Sequence, residues 1–409
     1  MIRIHAYSIL KPTTLVAIVL ITTTILVSLR LTTNIVDANV YSLRILIVAL
    51  VATILASLFY LVAPQKHFKI TSLIQSHDYQ IQAYKSLDNA CSAFSLVFVV
   101  LSLVGFALTK GFPLLWLITG SADLDYQDSG VPSLQGVTYT CFYFIIAIQA
   151  TFSRMQIKLP SQMGFSSKLF RCFLYAYPLL LIARGLTVYA IIAFIIPRIF
   201  YTRVRIKHLA YVLIFFILIF PLFYGIVGDN RQGISNPFNY LVPTGSPLEG
   251  LPSGYTWVYV YITGPINNVL KYSTVQNILP SFEILSPMYN LVPGALKPFL
   301  FSTDAESSSL ILDSSINVTS FFGSYFLTLG ITGVVAGLTL LIVVARFYYL
   351  RARRGDPWML IGYAQLIATI VLLPFFDNFL TVSTFFILAF TFIMSSQVKR
   401  SCLPSSGAE

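Results

Sequence analysis

The sequence predicts an all-α polytopic membrane protein of about ten transmembrane helices, with a large outer loop containing short amphipathic helices. Three observations predict it. Hydrophobic residues make up 56% of the 409-residue chain and charged residues only 10%, at a mean hydropathy of +0.79, far above that of a water-soluble domain. Apolar runs close to the roughly 17 to 25 residues that cross a bilayer recur along the chain. The basic residues between those runs collect in alternate loops.

The runs lie at about 12–29, 40–62, 90–109, 135–152, 169–183, 185–200, 208–227, 320–345, 358–376 and 379–396. The first follows Arg3 and Lys11 in a signal-peptide layout, but it lacks a small-residue cleavage site and reads as a retained span. The fifth and sixth are short and meet at Arg184, inside one apolar run from Cys172 to Pro197. That run is too long for one span and fits two helices joined by a tight turn, with Gly185 supplying the backbone freedom. A charge at the bilayer centre is costly, so Arg184 marks a helix end at a membrane face.

Charge sets the direction. With the N-terminus cytoplasmic, the inner segments receive 19 of the 26 Lys and Arg, and the outer segments receive 7 together with 11 of the 15 acids. Every inner loop then obeys the positive-inside rule, both termini are cytoplasmic, and Arg184 lies outside. The net charge of +11 is a topology signal, and nucleic-acid binding has no support. Cys91, Cys141, Cys172 and Cys402 form no CxxC pair, which gives neither a disulfide framework nor a zinc site. No linker or repeat divides the chain, so residues 1–409 read as a single membrane domain with outer loops at about 110–134 and 228–319.

The second outer loop is too long to be a connector. Its apolar stretches, NPFNYLVP, SGYTWVYVYITGPINNVLKY and ILPSFEILSPMYNLVPGALKPF, need something to pack on. From Tyr255 to Tyr272 the pattern alternates like a strand and then reads like a helix, with a break expected at Gly264–Pro265. Short amphipathic helices on the outer membrane surface are the expectation. Together with KGFPLLWLITGSADLDYQDSGVPS, residues 110–133, they would roof a cavity.

All four histidines, His5, His67, His77 and His208, fall on the inner side or its edge. Outer-face chemistry must therefore use arginine, carboxylates and tyrosine. No GxSxG, HExxH, Walker or GxGxxG pattern stands in a usable context. Arg184 and Arg231, the latter in GDNRQG, offer the planar five-donor fork that suits phosphate oxygens, so together they can hold a lipid pyrophosphate. Each can also snorkel to headgroups at a helix end. Asp229 and Asp377 can each accept a proton. Asp229 can equally pair with Arg231, and Asp377, in FFDNF, can equally satisfy turn amides. Asp123 and Asp125 form a DLD triplet that serves as well to solubilise a loop; no metal is assigned.

Three short motifs carry a family resemblance. KGFPLLW at 110–116, ARGLTVYAI at 183–191 and FGSYFLTLGITG at 322–333 are similar to the early outer-loop entry, the arginine-glycine turn and the Phe-Gly helix entry of the O-antigen or oligosaccharide repeat-unit polymerases, often called Wzy. The chain departs from that family in having no arginine in the early outer loop, only Lys110 at its edge, and in the spacing of Arg231 to Gly233 and Gly245. The resemblance implies a bacterial inner-membrane enzyme with its active site facing the periplasm. Such an enzyme joins undecaprenyl-pyrophosphate-linked repeat units by inverting glycosyl transfer, with no cofactor and with membrane lipids and a chain-length regulator protein as companions. On that reading Arg184 and Arg231 offset the leaving group's charge, and Asp229 or Asp377 deprotonates the acceptor. Lys110, Tyr259, Tyr261, Asn267 and Asn268 bind substrate, the aromatics by stacking on sugar faces and the asparagine amides by hydrogen bonds to sugar hydroxyls. The aromatic cluster serves equally well as an interfacial belt. A flippase for lipid-linked sugars would place polar residues deep in several spans, which the sequence lacks. An O-antigen ligase-type glycosyltransferase would share the outer arginines and the long loop.

Overall fold

The computed structural model describes residues 3–35, 43–62, 77–109, 111–114, 134–155, 165–181, 184–232, 238–275, 291–292 and 320–402. Among these the chain is helical apart from one short antiparallel pair, β1 (Arg3–His5) with β2 (Arg203–Arg205), in which Arg3 faces Arg205 and His5 faces Arg203. The helices are α1 (Ala6–Ile9), α2 (Pro12–Leu29), α3 (Arg44–Val62), α4 (His77–Leu108), α5 (Leu134–Met155), α6 (Phe165–Leu180), α7 (Arg184–Ile199), α8 (Ile206–Gln232), α9 (Ser253–Val275), α10 (Phe321–Arg353), α11 (Pro357–Val371) and α12 (Val382–Ser401), with a 3-10 turn at Asn239–Leu241.

Each of the ten apolar runs holds a helix. Among the described residues four helical stretches, Pro12–Leu29, Asp78–Leu108, Leu329–Arg353 and Val382–Ser401, are long and apolar enough to cross a membrane. Arg44–Leu58, Gly185–Ile199, Ile217–Ile226 and Pro357–Val371 are shorter apolar helices. Large apolar side chains such as Ile25, Leu55, Leu96, Leu103 and Ile217 stay exposed on them. That suits a lipid surround, where every backbone polar group is satisfied within the helix. The apolar run around Arg184 divides as expected: α6 ends at Leu180 and α7 begins at Arg184.

The chain forms two compact units, each discontinuous in sequence, which is why no linker marks a boundary. One comprises Met1–Gln65, Arg203–Arg346 and Thr369–Thr381; the other comprises Lys66–Thr202, Phe347–Ala368 and Val382–Glu409.

In the first unit α9 is the organising element, and it corrects the sequence expectation. Residues 253–275 form one 23-residue helix, continuous through Gly264 and Pro265, rather than a strand followed by short amphipathic helices. Nor does it expose a polar face, since Thr256, Trp257, Thr263, Ile266, Asn267, Asn268, Val269, Leu270 and Ser273 are fully buried. Tertiary packing overrides the local alternation. α9 can approach α8 closely because Gly254 has no side chain: a Cβ there would stand 1.7 Å from the Pro221 carbonyl oxygen. α10 is broken near its start, where Leu329 leaves helical geometry and Gly330 takes φ 60°, ψ −141°. Only glycine adopts that conformation without strain. The break folds the first segment back, so that a Cβ at Gly337 would lie 2.4 Å from the Tyr325 ring.

In the second unit α5 packs against α4 and α7, and α12 against α4 and α5. α5 is buried from Thr140 to Ile148 on all sides, as an all-round apolar helix must be. Its aromatic core includes Phe98, Phe142, Phe144 and Tyr177. Asp356 stands immediately before Pro357, the first residue of α11, and its Oδ1 accepts from the Met359 amide at 3.2 Å. That is a capped helix start with proline at its first position. Asp356 Oδ2 accepts from Ser395 Oγ at 2.6 Å and from Lys399 Nζ at 2.8 Å.

Candidate functional site

The candidate site of the first unit lies along α9, where five helix ends gather. The α2 C-terminus and the turn after it are held by Tyr259. Its hydroxyl donates to the Leu26 carbonyl at 3.0 Å and accepts from the Leu31 amide at 2.9 Å, satisfying groups that a helix end leaves open. Asn267 Nδ2 donates to the Asn34 carbonyl at 2.8 Å. Arg44, at the start of α3, donates through Nη2 to the Ser273 carbonyl in the last turn of α9, where the helix dipole favours a cation. The Ser320 amide donates to the Pro265 carbonyl at 3.3 Å, and the Phe321 amide at the start of α10 donates to Leu373, beyond the end of α11, at 3.0 Å.

Tyr259 and Asn267, read from sequence as substrate-binding, are therefore buried in backbone capping at α2. Asn268 is also fully buried. A buried hydroxyl or amide spent on main-chain partners has little left to offer a sugar.

Asp229 is likewise spoken for. Trp257 Nε1 donates to its Oδ1 at 2.7 Å and Ser253 Oγ donates to its Oδ2 at 2.6 Å. With a donor on each oxygen, Asp229 ties α8 to the start of α9 rather than standing open to a proton. Such bonds to a charged acceptor are each worth about 1.5–3 kcal/mol.

Tyr261 is half-buried within an aromatic group. Its ring lies 5.4 Å from Trp257, 5.8 Å from Tyr224 and 6.5 Å from Phe375. Two residues after Phe375 comes Asp377. Its Oδ1 accepts from the Phe379 amide at 3.0 Å, which fulfils the turn role expected of FFDNF. Its Oδ2 is buried and accepts no hydrogen bond. Burial pushes this carboxyl up to about 7, while the Phe379 and Leu380 amides and the Ser324 hydroxyl pull partly the other way. No cation among the described residues acts on it. Desolvation without a counter-charge gives a carboxyl that titrates near neutrality. Tyr325, on the folded-back segment of α10, faces the same carboxyl electrostatically. Sequence reasoning named Asp377 and Tyr261 but missed Tyr325 and Ser324; the Gly330 break that brings them there is readable only as one glycine among several.

The remaining assignments are partly described. Arg231 lies in the last turn of α8 and Arg184 opens α7, with the side chains of both outside the described residues, as are Lys110, Asp123 and Asp125. Arg184 belongs to the second unit and Arg231 to the first. In the second unit a small cavity is lined by Ser102, Thr109, Gln135, Thr138, Tyr177 and Leu181, among others, the last of these three positions before Arg184. Among the described residues no group of His, Cys, Asp and Glu is placed to hold a metal ion.

Comparisons with protein-family models, with curated proteins and with solved structures find no match for this chain.

Proposed function

We propose that the protein is a membrane glycosyltransferase that joins lipid-pyrophosphate-linked oligosaccharide repeat units at the periplasmic face of a bacterial inner membrane, as an O-antigen-type polymerase does. The observation that carries this reading is the pairing of a half-buried aromatic group, Tyr261 and Phe375, with a neighbouring carboxyl, Asp377, that has one open oxygen and titrates near 7. Aromatic faces suit sugar rings, and a carboxylate poised near the operating pH suits removal of a hydroxyl proton. If the ten apolar runs cross the membrane with the N-terminus inside, all five helix ends around α9 fall on the outer side.

Asp377 takes the proton of an acceptor hydroxyl, whose oxygen forms the new bond to the donor's anomeric carbon as the bond to the lipid pyrophosphate breaks. The lipid pyrophosphate departs with the electron pair and needs no acid, only cations to offset its charge. Arg231 and Arg184 are each proposed to hold a lipid pyrophosphate. The test is purified protein given lipid-linked repeat units alone. A ladder of products supports a polymerase; no product until a lipid-core or protein acceptor is added would instead support a ligase.

The broken α10 favours a second reading, a flippase for the same lipid-linked sugars, since discontinuous helices line substrate paths in transporters. Movement of a fluorescent lipid-linked sugar across proteoliposomes without any change in its length would decide for it.

A further inference from the structure

Three buried oxygens lie on the segments that meet where α9, the start of α10 and the turn after α11 come together, and none has a hydrogen-bond partner: Ser320 Oγ, Tyr325 OH and Asp377 Oδ2. Ser320 is fully buried and Tyr325 is 6% exposed. Their neighbourhood is fixed by backbone bonds. The Ser320 amide is held by Pro265 and the Phe321 amide by Leu373, Ser324 lies one turn after Ser320 and acts on Asp377, and Tyr325 faces the same carboxyl. The Tyr325 ring is clamped against Phe321 at 4.6 Å and against Gly337, so its hydroxyl is presented from a fixed ring. A buried polar atom left unpaired costs about 1–3 kcal/mol, and three on adjoining segments point to something that pairs with them.

We propose that Ser320, Tyr325 and Asp377 form a binding subsite for a neutral polyhydroxylated group, a sugar ring rather than a phosphate. Two hydroxyls that donate or accept, beside a carboxyl oxygen that accepts, match vicinal hydroxyls. The same set repels an anion: it has a carboxyl and, among the described residues, no cation. Nor is the helix start open to a phosphate, because the Phe321 and Gly323 amides are already taken by the Leu373 and Ser320 carbonyls. The lipid pyrophosphate therefore binds elsewhere, and this subsite holds the sugar that presents the attacking hydroxyl. The inference rests on the transferase reading for that last role alone; the ligand class follows from the oxygens.

The test measures binding without turnover. The full-length chain in nanodiscs is titrated with methyl glycosides of the common neutral hexoses and followed by saturation-transfer NMR, with inorganic pyrophosphate as the anionic competitor. At least one glycoside binds, pyrophosphate does not displace it, and Tyr325→Phe and Ser320→Ala each weaken it about five- to tenfold, the loss of one hydrogen bond. Tyr325→Phe keeps the ring that packs on Gly337, and its melting temperature stays within a few degrees of wild type. Tyr255→Phe, which removes an exposed hydroxyl on α9, leaves binding unchanged. Signals no greater than from empty nanodiscs, equal affinity in all variants, or displacement by pyrophosphate would each overturn the subsite. A chain that binds glycoside in this pattern yet makes no polymer keeps the subsite and loses the transferase reading.

Discussion

Two aspartates, one in each compact unit, differ in how completely their oxygens are paired. Asp356 is fully buried and every interaction it makes closes a gap. One oxygen caps α11 through the Met359 amide, and the other takes Ser395 and Lys399. Asp377 is held by backbone amides at Phe379 and Leu380 and by the Ser324 hydroxyl, while its Oδ2 is buried without a hydrogen bond and no cation among the described residues acts on it. Each has a buried oxygen, but only Asp356 has a hydrogen bond on both of its oxygens. A carboxylate with donors on both oxygens is held in place, whereas desolvation pushes Asp377 up to about 7 and leaves its Oδ2 unbonded.

Substitution should break this comparison in opposite ways. Asp377→Asn keeps the shape and the turn bond to the Phe379 amide but cannot take a proton. Polymer synthesis by purified protein should fall at least about a hundredfold. Its thermal stability at pH 8 should be equal to wild type or higher, because a raised carboxyl pKa means the folded state disfavours the charge. That contribution is fully present below the unfolded carboxyl's range and is lost as pH rises through about 7. Asp356→Ala should do the reverse. Leaving Lys399 partly buried and unpaired costs about 3–5 kcal/mol, seen as a large drop in melting temperature and in membrane yield, while any surviving protein should keep its rate per molecule.

A subtler contrast lies between Arg184 and Arg231 on one hand and the anchors of α9 on the other. If Arg184 grips phosphate oxygens, Arg184→Ala should abolish the glycan ladder with normal protein levels, and Arg184→Lys should rescue only in part, since it loses the two-pronged geometry. Full rescue by lysine would mark it as a snorkelling helix-end residue. Smaller still, Tyr259→Phe should destabilise the α2 end by about 1 kcal/mol and leave acceptor binding unchanged, because its hydroxyl serves Leu26 and Leu31. A selective loss of substrate affinity in Tyr259→Phe would return that residue to the binding set.

What could be read from sequence follows from the range of the interactions. Apolar runs are local, so the helices were legible, as was the division of the 172–197 run at Arg184. Asp377 was legible as a candidate because it is the one acid in an apolar turn. α9 was not, since YTWVYVY alternates like a strand and Gly264–Pro265 reads as a break; its helicity is imposed by Gly254 fitting against Pro221 and by Tyr259 and Asn267 binding the turn after α2. The Asp-Pro step at 356–357 was a helix-start signal that went unused. Its partner Lys399 is 43 residues away, a pairing no local pattern reveals. Nothing in sequence separates Asp229, saturated by Trp257 and Ser253, from Asp377, left open.

The central claim is that an open, half-paired carboxyl at Asp377 removes the acceptor's proton. Its most direct test is the rate of chain elongation by purified protein as a function of pH, with saturating lipid-linked repeat units. In the wild type the rate should rise about tenfold per unit below pH 7 and level off above it, and Asp377→Asn should leave only a slow, pH-independent residue. A flat wild-type profile between pH 5 and 8, or an Asp377→Asn variant that elongates at the wild-type rate, would contradict the account.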